Sequence, residues 1–119
     1  MWWGDDARMG NGIQMWNNAS NITITRNYIH DIYDTGISPQ GEGAYTQANI
    51  NIHHNLLKNC YWTYEVFTSG DRTLTNVDFC NNTCLYAGNT WSVNQRGDPY
   101  NSRHVRTWGE DGNLSGNDV

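Results

Sequence analysis

Asn21-Ile22-Thr23-Ile24-Thr25-Arg26-Asn27-Tyr28-Ile29 is written again, in altered letters, further along the chain. Asn49-Ile50-Asn51-Ile52-His53-His54-Asn55-Leu56-Leu57 follows 28 residues later, and Asn76-Val77-Asp78-Phe79-Cys80-Asn81-Asn82-Thr83-Cys84 follows 27 after that. The shared pattern is Asn, apolar, x, apolar, x, x, Asn, x, apolar. A period of this length marks stacked repeats, each too small to bury its own apolar face. Within one unit the apolar residues alternate, so the unit is a strand, a bend and the start of another strand; helical periodicity is absent.

Stacking the units gives columns. The first strand aligns Ile13, Ile37, Tyr64 and Trp91, then Met15, Pro39, Val66 and Val93. A second strand aligns Ile22, Ile50, Val77 and Val105, then Ile24, Ile52, Phe79 and Thr107. A third aligns Ile29, Leu57 and Cys84, then Ile32, Cys60 and Ala87. Apolar columns are what strands of successive turns produce when they lie in register about 4.8 Å apart with one face inward. The pattern therefore predicts an all-β fold: a right-handed parallel β-helix, or solenoid, of about four coils with three short strands per coil. The coils run over residues 12–35, 36–62, 63–89 and 90–108 of a single domain, 1–119. The Asn27, Asn55 and Asn82 column is expected to accept left-handed backbone at a bend and to form a ladder of side-chain amides. Residues 109–119 read as a frayed tail. With both ends poorly capped, the chain reads as a fragment of a longer solenoid that associates with further copies through its ends.

Composition agrees with strands and tight turns. Asn accounts for 17 of the 119 residues, whereas charged residues make up only 16%. The net charge is −5 and Lys58 is the only lysine, so no basic footprint for nucleic acid or an anionic membrane is present. No apolar run approaches a membrane span. Met1-Trp2-Trp3-Gly4-Asp5-Asp6 has neither the basic nor the apolar region of a signal peptide. Cys60, Cys80 and Cys84 lack Cys-x-x-Cys spacing; Cys60 and Cys84 fall in inward columns and read as buried free thiols.

The repeated Asn-Ile-x-Ile-x-x-Asn-x-Ile unit, with strand starts at Gly12-Ile13 and Gly36-Ile37, resembles the right-handed parallel β-helix repeat superfamily. That superfamily includes pectate-lyase-like proteins, NosD-like periplasmic proteins and β-helical glycoside hydrolases. The resemblance covers residues 12–108 and implies a polysaccharide or oligosaccharide ligand and a secreted or periplasmic parent. In such enzymes the first strand and the loops after it form the sugar groove. Here the outward residues of that strand are Gln14, Ser38, Glu65 and Ser92, then Trp16, Gln40, Phe67 and Asn94.

Glu65 is the one carboxylate in these outward columns, and an acid follows Gly in each coil at Glu42, Asp71 and Asp98. Glycoside hydrolysis needs two carboxyl groups, about 5–5.5 Å apart for retention and about 6.5–9.5 Å apart for inversion. Glu65, Asp71 and Asp98 are accordingly the candidate acids and bases. The same row admits two other readings: a Ca²⁺ site at Glu42, Asp71 and Asp98, or ordinary solvated turn residues. Trp16, Tyr45, Phe67 and Tyr100 are candidate stacking platforms, and Arg96 a candidate clamp for a sugar carboxylate. His53 and His54, read as neighbours in one strand, point to opposite faces and cannot share a metal. The lyase motif and the polygalacturonase signatures are missing. Carbohydrate recognition related to the hydrolases is thus the leading expectation, and a non-enzymatic structural module its rival.

Overall fold

The computed structural model describes residues 10–41, 43–67, 71–88, 103–108 and 113–115, with the backbone alone for Trp108 and residues 113–115. Every regular element among them is a strand. The order is β1 (Ile13–Trp16), β2 (Ser20–Thr25), β3 (Tyr28–Gln40), β4 (Tyr45–His53), β5 (Leu56–Phe67), β6 (Arg72–Cys80), β7 (Thr83–Leu85), β8 (Arg103–Trp108) and β9 (Asn113–Ser115). One sheet runs β1-β3-β5-β7, to which β8 adds alongside β5; the other runs β2-β4-β6-β9. All pairings are parallel.

The registers hold the expected apolar columns. Ile13 faces Ile37 and Ile37 faces Tyr64. Ile22, Ile50 and Val77 stack, as do Ile24, Ile52 and Phe79. Ile29, Leu57 and Cys84 form the third column. Their side chains meet in one core between the sheets, where the Tyr64 and Phe79 rings lie parallel with centroids 4.3 Å apart. Cys60 is buried in this core and Cys84 packs against it, both as free thiols, while Cys80 is exposed.

Three expectations are corrected. The third strand of one repeat and the first of the next are not separate: β3 and β5 run through both, with a register shift between Ile32 and Thr35 in place of a break at the boundary between coils 12–35 and 36–62. Close packing explains why the chain stays extended there. A Cβ on Gly36 would lie 2.7 Å from the Thr63 carbonyl oxygen, and one on Gly12 would lie 2.6 Å from that of Gly36. Successive repeats therefore touch backbone to backbone at the Gly-Ile positions.

The second correction concerns the bend. The left-handed residues are Arg26, His54 and Asn81, each one place before the Asn column. Two further columns share this conformation, Asn21/Asn49/Asn76 and Asp31/Asn59/Tyr86. Asn27, Asn55 and Asn82 form the ladder as expected. Nδ2 of Asn27 donates to Oδ1 of Asn55 at 3.0 Å, and Nδ2 of Asn55 to Oδ1 of Asn82 at 3.0 Å. The same two oxygens also take the backbone N–H groups of Asn27 and Asn55. A second amide ladder links Asn49 to Asn21 at 3.1 Å and Asn76 to Asn49 at 3.3 Å.

The third correction concerns the C-terminal repeat. Val105 and Thr107 do not continue the column of Val77 and Phe79; they pair with Tyr64 and Val66 on β5. Residues 113–115, expected to fray, pair with β6 and set Leu114 beside Leu74. The cause is an insertion. From third-strand column to first-strand column takes 8 residues between Ile29 and Ile37 and 7 between Leu57 and Tyr64, but 21 between Cys84 and Val105. The extra 14 (21 less 7) are half a period, so a strand of one sheet falls at the spacing of the other. Trp91 and Val93 lie outside the described residues.

Candidate functional site

Alternation along β5 sends Tyr64 and Val66 into the core and places Thr63, Glu65 and Phe67 on the outer face of its sheet. The same face carries Gln14 and Trp16 from β1, Ser38 and Gln40 from β3, and, opposite Glu65, Arg106 from β8. This face is polar yet largely shielded: Thr35, Ser38, Thr63 and Glu65 are all buried, with Glu65 at 1% exposure.

A buried carboxylate needs donors. Oε2 of Glu65 accepts from the Thr35 hydroxyl at 2.9 Å and from Nε2 of Gln40 at 2.7 Å. Gln40 in turn accepts from Nε2 of Gln14 at 2.8 Å. The relay from Gln14 through Gln40 to Glu65 crosses three neighbouring strands. Beside it the Arg106 guanidinium stacks on Trp62, 4.0 Å from the ring centroid, and the Thr63 hydroxyl lies 3.1 Å from Nδ1 of His104. The Ser38 hydroxyl, also buried, has no hydrogen-bond partner among the described residues.

The strand ends carry a second feature. Trp16 pairs with Gln40 in register and is 43% exposed, and Phe67 pairs with Trp108. Where Asn94 was expected to close this outer column, β8 supplies Trp108 instead. Asn94 itself, like Ser92, Arg96, Asp98, Tyr100 and Glu42, lies outside the described residues.

Of the remaining candidates, Asp71 is exposed at the turn before β6. Tyr45 is corrected from platform to core: it is 3% exposed, and its hydroxyl donates to the Phe67 carbonyl at 2.9 Å. Burial also holds the Tyr45 phenol above its ordinary pKa. Arg72 ties this corner together, its guanidinium 4.5 Å from the Phe67 centroid and 5.6 Å from that of Tyr45, with Nε donating to the Gly43 carbonyl. The structure thus groups Glu65 with Gln14, Thr35 and Gln40, and Phe67 with Tyr45 and Arg72.

Sequence reasoning missed Thr35, Trp62, His104 and Arg106. Thr35 falls at the boundary between two coils, outside every strand column, and the half-period insertion assigns the two β8 residues to the wrong sheet. Among the described residues no three His, Cys, Asp or Glu side chains converge to hold a metal ion. No family model matches the chain, and neither any curated protein nor any solved structure matches it.

Proposed function

We propose that this chain forms a right-handed parallel β-helix whose outer face on β1, β3, β5 and β8 recognises a polysaccharide. The observation that supports this reading is the cross-strand row at Gln14, Gln40 and Glu65, rimmed by the exposed Trp16. Amide groups held in one orientation can exchange hydrogen bonds with sugar hydroxyls, and an exposed indole face can stack on a pyranose ring. Rows about 4.8 Å apart suit a polymer lying across the strands.

Binding rather than cleavage is the reading the geometry favours. Glu65 is enclosed and already bonded to two donors, so it orients Gln40 rather than meeting substrate. Hydrolysis requires a second carboxyl group beside it, and of the proposed partners Asp71 sits exposed on a turn. A Ca²⁺ role would rest on Asp71 together with Glu42 and Asp98.

The test is an oligosaccharide panel read by thermal shift and by direct binding. Trp16→Ala should weaken binding at least tenfold and leave the melting temperature unchanged. A panel without any binder, or a Trp16→Ala variant that binds normally, would overturn the proposal.

A second reading has its own support. Val105 continues the column of Ile37 and Tyr64 yet is 37% exposed, as at the uncovered end of a stack. Association of copies through such ends would appear as a concentration-dependent mass in light scattering, reduced by Val105→Lys.

A further inference from the structure

The middle repeat carries His53-His54 where the flanking repeats have Thr25-Arg26 and Cys80-Asn81. Strand alternation alone would part the two imidazoles. It fails here because His54 has left the strand, with φ of 55°, and that backbone is fixed by its N–H donating to the Asn81 carbonyl at 3.1 Å. The left-handed turn swings the His54 ring back toward its neighbour. Nδ1 of His53 and Nδ1 of His54 come to 2.8 Å, with ring planes 88° apart. The Thr25 hydroxyl, one strand below, lies 3.2 Å from the same His53 nitrogen. His54 is exposed and His53 half-buried, so solvent reaches the pair.

The geometry points to a divalent transition-metal site at this pair, with His53 and His54 as a two-nitrogen chelate and water completing the shell. A metal about 2.0–2.1 Å from each nitrogen would subtend an angle of about 85–90° across the observed separation. That angle fits adjacent corners of square-planar or octahedral coordination, which Cu²⁺ and Ni²⁺ adopt with imidazole. Tetrahedral Zn²⁺ asks for a wider bite and is the poorer fit. Thr25 is placed to hold a water ligand of the ion, in the manner of outer-shell partners at other metal sites. Cys80, the register neighbour of His53, sits 3.8 Å from Nδ2 of Asn81 and is not part of the chelate.

The chain is titrated with NiCl₂ by calorimetry, Ni²⁺ unlike Cu²⁺ not oxidising free thiols, and with CuCl₂ by electron paramagnetic resonance on Cys80→Ser. One Ni²⁺ per chain and two coordinated imidazole nitrogens on Cu²⁺ are expected. His54→Asn keeps a side chain that accepts left-handed backbone, and His53→Thr copies the residue of the repeat below. Each should weaken Ni²⁺ binding at least tenfold without lowering the melting temperature, while His30→Gln and Cys80→Ser leave binding intact. Absence of binding, binding that survives either His53 or His54 substitution, or binding that requires Cys80 would each overturn the site.

Discussion

Asn55 shows how much one side chain carries. It is buried at the middle of the ladder, its Oδ1 accepting from the backbone and side-chain amides of Asn27. Its Nδ2 donates to Asn82, to the Ile24 carbonyl and to that of His53. Asn55→Ala removes both ends of this network and strands buried groups, so it should cost about 2–3 kcal/mol in urea unfolding. Asn27→Ala, at the exposed end of the column, should cost roughly 1 kcal/mol. Equal losses at the two positions would show that the ladder is not the stabilising element. The ladder was legible because three Asn recur at one offset from inward residues. The position that turns left-handed was not, since Arg26 and His54 carry no hint of it and the adjacent Asn is the more obliging residue. The meeting of His53 and His54 was hidden for the same reason.

At the scale of an element, the Gly-Ile starts of β1 and of the second half of β3 answer to close stacking. Gly36→Ala must push against the Thr63 carbonyl and the Leu57 and Cys60 side chains, and should cost about 1–3 kcal/mol. Arg26 offers the opposite case. It is exposed and held at φ of 58°, which strains any side chain but Gly, Asn or Asp. Arg26→Asn should therefore raise stability by about 0.5–1 kcal/mol in the same assay. The outer polar face reveals what alternation can and cannot tell. It placed Glu65, Ser38 and Gln14 correctly outside the apolar core, but outside was taken to mean exposed. With Glu65 enclosed by Thr35 and Gln40, Glu65→Gln turns a charge-assisted acceptor into an amide and should destabilise by about 1–3 kcal/mol.

Across the whole molecule, apolar periodicity carried the reading of the fold, because burial is what imposes a period and every internal column obeys it. The period misled at one place. An insertion of half a repeat mimics a continued column, so Val105 sits 28 residues from Val77 while belonging beside Tyr64. The common core also sets the alkaline limit of stability. Burial raises the Cys60 thiol from 9.0 to about 12 and the Tyr64 phenol above its ordinary 10.0. Both groups are acids that the fold keeps protonated, so their contribution is complete below the unfolded values and declines as pH rises through the interval up to the folded ones. Urea midpoints should fall steadily above about pH 9, and Cys60→Ala should fall less steeply. A flat profile would remove burial of these groups as the cause. Native labelling should find Cys80 fast and Cys60 silent until the chain unfolds.

The jump from Cys84 to Val105 has a practical corollary. Val105 and Leu114 are 9 residues apart, against 10 for their neighbours Tyr64 and Leu74, so β8 and β9 keep the spacing of β5 and β6 beyond the insertion. The pairing of β8 with β5 and of β9 with β6, rather than the number of residues linking β7 to β8, thus fixes the register. Variants shortened or lengthened between Leu85 and Arg103 should therefore share a melting temperature with the parent chain.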